Sequence, residues 1–293
     1  MKILVTGATG FIASHLLRKL PAEYEMFGLA RTSLREGLLA KVNWIRQDLT
    51  RTVKQSRLPK SVDAVIHLAQ SEYYREFPKQ ALEVFSVNTA STMHLLDWAR
   101  QTGVKTFVFA SSGGVYGAGE KEFSEEQEVM PRGDLGFYLS TKLCSEVIAE
   151  NYTQYMNVII LRFFFVYGPR QRRSMLIPRL VDSVRKEKPI GLQGKDGIRI
   201  NPTYVSDAVD AICGALELTG SQKINVGGPQ VLSLREIGQI IGEALRKKPN
   251  FEVNHDAEPS HLIGDTAKMS KLLNEPKVSF KEGIARFLDN EKF

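Results

Sequence analysis

Cysteine is scarce in this chain. Cys144 and Cys213 are the only two in 293 residues, and they stand far apart without CxxC spacing. Neither a disulfide framework nor a thiolate zinc site is therefore expected, and both thiols are expected to be buried. Long apolar runs are missing too. The longest, residues 158–166, is broken by Arg162 and falls well short of the roughly 20 residues needed to span a bilayer. No basic-then-apolar leader precedes Lys2-Ile3-Leu4-Val5, which already reads as a core strand, so a cytoplasmic location is expected. The five histidines form no cluster: His67 lies in an apolar strand, His15 and His94 in helices, and His255 and His261 in a polar segment, so no metal site is expected. The net charge of +6 is modest and spread along the chain, without an interleaved aromatic and basic stripe. That argues against a nucleic-acid partner and suits a positive cleft for an anionic small molecule.

What the chain does have begins at its first residue. Lys2-Ile-Leu-Val-Thr6 is an apolar strand that runs into Gly7-Ala-Thr9-Gly10-Phe11-Ile12-Ala13, and Leu16, Leu17 and Leu20 continue at helical spacing until Pro21. In such a turn Gly7 supplies the tight bend, Gly10 lets backbone N–H groups approach a phosphate, and a small Ala13 permits helix-on-sheet packing. The positive end of the helix dipole then faces the anion, the arrangement of a dinucleotide site. A tight strand-to-helix turn without a ligand is the plainer alternative.

Further apolar segments at 26–30, 42–46, 64–68, 106–110 and 158–162 alternate with helical patterns, including long ones at 80–100 and 138–155. This order predicts an α/β fold, a doubly wound parallel sheet of Rossmann type. From about Tyr167 the composition shifts to Gly168, Pro169 and the basic run Arg170, Arg172, Arg173. The expected division is a dinucleotide-binding domain of 1–166 plus about 203–226, with a strand and helix at 203–218, and a smaller discontinuous substrate lobe of about 167–202 plus 227–293.

Two later segments carry chemistry. Ser111 and Ser112 close the strand that begins at Thr106, at the carboxyl end where open α/β sheets bind ligands. Twenty-six residues beyond Ser112, Tyr138-Leu-Ser-Thr-Lys142 places a phenol and an ammonium at i and i+4 on one helix face. The lysine is expected to stabilise phenolate, and a serine hydroxyl to share the reacting oxygen, giving a proton-transfer pair suited to interconverting an alcohol and a ketone. Tyr-x-x-x-Lys alone is also what a solvated helix pair looks like.

With these residues in place the chain resembles the extended short-chain dehydrogenase/reductases, in the nucleotide-sugar epimerase/dehydratase branch. The likeness extends through Asp48-Leu49, Val65-Ile-His-Leu68-Ala69, Arg162-Phe-Phe-Phe-Val-Tyr-Gly-Pro-Arg-Gln171, Tyr204-Val-Ser-Asp207 and Asn225-Val-Gly-Gly228. It implies that Ser112, Tyr138 and Lys142 are catalytic, that Asp48 faces adenine, that Ala69 lines the nicotinamide path, and that Gly7, Thr9, Gly10, Phe11, Ile12, Leu49 and Leu68 belong to the cofactor site. It also implies a homodimer formed through the helices at 80–100 and 138–155.

The departures matter as well. After the second strand, where NAD-binding relatives place an acid, this chain has Ala30-Arg31-Thr32-Ser33. Arg31 and Ser33 offer a fork and a hydroxyl to a 2′-phosphate with no carboxylate present to repel it, so NADP(H) is favoured over NAD(H). Gly113 and Gly114 stand where sugar 4,6-dehydratases carry acids, which argues against dehydration. Phe165 replaces a common asparagine, and Ile200-Asn201-Pro202 a common arginine and aspartate. Arg172, Arg173, Arg199 and His261 are the remaining candidates for an anionic substrate. The resulting expectation is an NAD(P)-dependent oxidoreductase or epimerase acting at C4 of a nucleotide-diphosphate sugar. The alternatives are a ketoreductase for a non-nucleotide carbonyl and a catalytically idle dinucleotide sensor.

Overall fold

The structure, a computed structural model, describes residues 1–32, 41–130 and 133–290. The chain divides into two compact units. The first comprises Met1–Val115, Val129–Arg162 and Ala211–Ile224, and the second Tyr116–Glu128, Phe163–Asp210 and Asn225–Phe293.

The first unit is built on a sheet that the chain enters at its middle. Strand β1 (Lys2–Thr6) is buried from Ile3 onward, the continuous apolar run of a strand covered on both faces. Helix α1 (Phe11–Lys19) follows, then β2 (Glu25–Ala30), β3 (Asn43–Arg46), β4 (Ala64–His67), helices α2 (Ala81–Phe85) and α3 (Ser91–Gln101), β5 (Thr106–Ser112), α4 (Phe137–Glu150) and β6 (Asn157–Phe163). After α5 (Leu176–Arg185), β7 (Ile190–Gln193), β8 (Arg199–Ile200) and α6 (Val205–Ala215), strand β9 (Gln222–Val226) completes a seven-stranded sheet of order β3-β2-β1-β4-β5-β6-β9. Its pairs from β3 to β5 are parallel, and Thr6 lies opposite His67 in the register. The strand order reverses between β1 and β4, the switch point at which a cleft opens beyond the strand ends. This is the doubly wound architecture that the strand and helix alternation predicts.

Three local expectations are corrected. The 80–100 pattern is not one regular helix, because a π-helical segment, Ser86–Ala90, joins α2 to α3. Helix α4 stops at Glu150 rather than reaching 155. The strand expected before α6 is only an isolated bridge, Tyr167 to Tyr204. The cysteines also differ from expectation: Cys144 is exposed and Cys213 half-buried. The reason lies in α4, whose buried face is Thr141, Lys142, Ser145, Glu146 and Ala149, which turns position 144 outward.

The second unit contains two small sheets. β10 (Leu232–Ser233) pairs antiparallel with β8, and β11 (Phe251–Asn254) pairs parallel with β7. Around them stand α5, α7 (Leu234–Leu245), α8 (Ala267–Leu272) and α9 (Phe280–Asp289). Ser233 and Glu236 form a reciprocal capping box that fixes the start of α7. Residues 116–128 join this unit through the Tyr116 hydroxyl, which donates to Asn225 Oδ1 at 2.9 Å, and through the Phe123–Gly264 bridge. Among the described residues no helix is long and apolar enough to cross a membrane.

Candidate active site

The turn after β1 is shaped by backbone contact. Gly7 has φ +62, and a Cβ on it would lie 2.8 Å from the Ala69 Cα, so only glycine lets this turn nest against the end of β4. Gly10 N–H donates to the Gly7 carbonyl at 2.7 Å and caps α1 without a side chain. Thr9, Phe11 and Ile12 are half-buried around it, whereas Ala13 is buried in the packing. The first turn of α1 has no acidic residue and its last turn has Arg18 and Lys19, so its N-terminus keeps its full positive dipole end.

His67 locks this turn to β4. Thr92 donates to the Asn88 carbonyl at 2.6 Å, which leaves its oxygen to accept from His67 Nε2–H at 2.9 Å. His67 Nδ1 therefore accepts from Thr6 Oγ1 at 2.6 Å, and Thr6 Oγ1 accepts in turn from the Ala69 N–H at 3.3 Å. Burial, and then the charge of Lys142, pushes the imidazole down to about 3, so it stays neutral.

Ser112, Tyr138 and Lys142 come from the end of β5 and the first two turns of α4. The phenol of half-buried Tyr138 donates to Gln70 Oε1 at 2.9 Å, and the Ser112 hydroxyl acts to favour its ionised form. Lys142 is buried, and its Nζ donates to the Ala110 carbonyl at 2.8 Å and lies 5.2 Å from the centre of the Phe109 ring. Desolvation raises the phenol well above the ordinary tyrosine range, with Tyr74 adding to the rise and the Ser112 hydroxyl opposing it. Burial pulls Lys142 down to about 8, against the opposing charge of Glu146. The expected Lys142 support of phenolate is thus not among the forces on Tyr138 here: its partners are Gln70, Ser112 and Tyr74.

Several supporting groups escaped the sequence reading. Glu146, one turn beyond Lys142, takes a bidentate hydrogen bond from buried Arg162 (Nη2 to Oε2 2.6 Å, Nε to Oε1 3.0 Å) and another from Ser111, the neighbour of Ser112. Asn88, in the π-helical segment, accepts from the Ser71 N–H at 3.0 Å and donates to Thr141 Oγ1 at 3.0 Å, tying the segment after β4 to α4. The signals for these in the sequence are polar residues at positions of α4 that should face the core and a charge that interrupts the apolar run of β6.

At the end of β2, Arg31 donates to Glu72 Oε1 at 2.6 Å, and Asp48 and Glu83 add to the negative field around it. The reading of this site as free of carboxylates is therefore corrected: the acid arrives from the segment after β4, 41 residues away in sequence. Asp48 is itself held below the usual carboxylate range by hydrogen bonds from Thr50, first its N–H and then its hydroxyl. Leu49 and Ala69 are buried and Leu68 half-buried, whereas Ser33 lies outside the described residues.

In the second unit, the Arg199 N–H donates to His261 Nδ1 at 3.0 Å, which brings two of the substrate candidates together. Arg199 is exposed while Ile200 is fully buried, so strand alternation presents position 199 and hides position 200. Arg173 lies elsewhere, bonded to Asp182 on α5 and 5.7 Å from the Phe287 ring of α9, and exposed Arg172 precedes it. Phe165 is half-buried at φ 43, a left-handed conformation that favours asparagine over bulky side chains.

Residues 3–227 match the NAD dependent epimerase/dehydratase family. The chain belongs to that family. Among its relatives are the uncharacterized UDP-glucose epimerase YtcB of Bacillus subtilis strain 168, 32% identical with 97% of this chain and 96% of that protein covered, and the UDP-glucuronate 4-epimerase of Thermodesulfobacterium geofontis, 32% identical with 79% and 73% covered. A solved UDP-glucuronic acid 4-epimerase from Bacillus cereus, in complex with UDP-glucuronic acid and NAD, superposes with a TM-score of 0.87 at 29% identity, covering 100% of this chain and 99% of that one. The glycine turn of this family member suits a dinucleotide in one respect its own geometry shows: the α1 N-terminus follows Gly10 with no acid in its first turn to oppose a pyrophosphate.

Proposed function

We propose that this epimerase/dehydratase family member is a 4-epimerase of UDP-linked hexoses or hexuronates that retains NAD. The observation that carries the reading is the placing of Ser112 at the carboxyl end of β5 and of the Tyr138 phenol on α4, one helical turn from buried Lys142. Gly7, Thr9, Gly10, Phe11 and Ile12 would hold the pyrophosphate, Asp48 and Leu49 the adenine end, and Leu68, Ala69 and Lys142 the nicotinamide end. Bound there, nicotinamide dinucleotide supplies reversible uptake and return of a hydride. Tyr138 exchanges the proton of the sugar 4-oxygen. Ser112, whose oxygen accepts from the Gly114 N–H at 3.2 Å, keeps its own proton for the phenol oxygen and the reacting oxygen. Lys142, pulled down to about 8 by burial, is directed at the Ala110 carbonyl and would serve the nicotinamide end of the cofactor.

Elimination of water needs an acid close to the serine, and the two positions after Ser112 are glycines. A Cβ on Gly114 would lie 2.8 Å from a Leu139 methyl carbon, so the position is already filled from α4. The B. cereus and T. geofontis relatives are named as UDP-glucuronate 4-epimerases, which supports C4 chemistry on a UDP sugar. Exposed Arg199, seated by His261, is the best candidate for an anionic group of that substrate, and Arg172 and Arg173 are weaker ones. Incubation with UDP-glucose and UDP-glucuronic acid, without added cofactor, is expected to yield the C4 epimers by proton NMR. Absence of epimers together with net NAD(P)H consumption on a ketone lacking a nucleotide would overturn the reading in favour of a ketoreductase, which strained Phe165 and buried Ile200 favour.

NAD is the proposed cofactor because a 2′-phosphate beside Arg31 would meet the Glu72 carboxylate. Fluorescence titration of cofactor-stripped protein is expected to show NADH bound at least tenfold tighter than NADPH, about 1.4 kcal/mol. Glu72→Gln should narrow that ratio, and an unchanged ratio would remove Glu72 from the account.

A homodimer is also proposed. The 81–101 helical segment and α4 pack side by side and leave Leu82 (85% exposed), Phe85, Met93 and Val147 at the surface, with Tyr155 just beyond α4. The apolar side chains projecting from paired helices suit the same face of a second copy. Sedimentation is expected to give a dimer, and Leu82→Glu with Val147→Glu a monomer.

A further inference from the structure

Gln70 is not accounted for by the glycine turn or by the Ser112, Tyr138, Lys142 set. It follows Ala69 at the carboxyl end of β4 and is exposed, so packing does not force its side chain anywhere. Its Oε1 nevertheless receives the hydrogen of the Tyr138 phenol at 2.9 Å. The backbone beyond it is held firmly. Ser71 N–H donates to Asn88, the Ser71 hydroxyl donates to Glu83 at 2.9 Å, and the Tyr73 N–H donates to the Ser71 hydroxyl at 3.1 Å. Asn88 bonds Thr141 on α4, and the Tyr74 ring lies 5.0 Å from the Tyr138 ring. Gln70 is therefore presented to the phenol by a segment anchored to the helix that carries the phenol.

A primary amide has a property no other neighbour of this phenol offers. It carries an acceptor and two donors on one planar group, and its terminal torsion is soft. We propose that Gln70 is a positioning residue for the proton transfer at Tyr138: its Oε1 accepts from the phenol, and after rotation of the amide its Nε2–H donates to the phenolate. The inference rests on the role given to Tyr138 above. The proton exchanged passes between Tyr138 Oη and the sugar 4-oxygen, and the amide gains and loses none. Gln70 is the hydrogen-bonded partner of the phenol, so it is the group whose role changes with the protonation state.

Gln70→Glu keeps size and acceptor but, when ionised, has no donor to offer phenolate. Gln70→Met keeps approximate size and removes both functions. With difluorotyrosine incorporated at Tyr138 to bring its ionisation into the working range, phenolate absorbance reads the contact directly, without turnover. Gln70→Glu is expected to raise that midpoint by about one pH unit, a tenfold change in the ionisation equilibrium, and to move the limb of the kcat profile that reports Tyr138 by the same amount. Gln70→Met is expected to lower kcat about tenfold with KM for the UDP sugar little changed. An unmoved phenol midpoint in Gln70→Glu, or full kcat in Gln70→Met, overturns the proposal. Full turnover in Tyr138→Phe would instead overturn the role of Tyr138, while the absorbance titration would still decide whether Gln70 contacts it.

Discussion

Tyr138→Phe is expected to lower kcat for C4 epimerisation by about 10²- to 10⁴-fold, the range spanned by loss of a positioned acid–base group, while leaving UDP-sugar and NADH affinities within a few-fold. The phenol contributes through its hydrogen, which it donates to Gln70, whereas its ring packs against Tyr74. Phenylalanine keeps that ring contact and removes only the transferable proton. The loss should therefore fall on kcat rather than on KM, the pattern of an interaction made in the transition state. Single-turnover reduction of enzyme-bound NAD by a UDP sugar reads the same step without product release. A variant that turns over at the parent rate would remove Tyr138 from the chemistry and would return the idle dinucleotide sensor to consideration.

Glu146→Ala is expected to destabilise the protein by about 3–5 kcal/mol, because it strands the Arg162 charge in the interior. The side chains of Arg162 and Glu146 are 2% and 1% exposed, so water cannot replace the lost partner. Urea denaturation should show the midpoint falling with little change in slope. The pair as a whole is another matter: Glu146→Leu combined with Arg162→Met should recover most of the loss, since both desolvation costs disappear with both charges. If the double variant were as unstable as Glu146→Ala, the carboxylate would owe its importance to Ser111 rather than to Arg162. Activity should not recover in parallel, because Ser111 precedes Ser112 on β5 and loses its acceptor in either variant.

These two residues mark the boundary of what the sequence discloses. The glycine turn, the strand and helix alternation and the spacing of Ser112, Tyr138 and Lys142 are written in local signals: an apolar run, glycines at fixed offsets, and an i, i+4 pair. Glu146 and Arg162 were legible only as charges in awkward places, one on a helix and one interrupting an apolar strand, because their pairing joins α4 to β6 through the fold. Arg31 was misread for the same reason: its neighbours in sequence include no acid, but the segment after β4 delivers Glu72. The π-helical segment has no period of its own in side-chain hydrophobicity, so Asn88 passed as one more residue of a long helix. Gln70 was hidden because nothing in Leu68-Ala69-Gln70-Ser71 states which way an exposed amide turns. The two cysteines were judged by the habits of their residue type, and at Cys144 α4 overruled that habit by burying its polar face.

That reversal leaves the molecule with a chemical reporter of its own. Cys144 faces solvent on α4 close to Val147, whereas half-buried Cys213 has its thiol pushed up by desolvation and so yields less thiolate. A maleimide dye would therefore mark one thiol per chain first, on the side of α4 that a second copy would cover. Slowed labelling at rising protein concentration would then count associated chains with no tag, substitution or partner added.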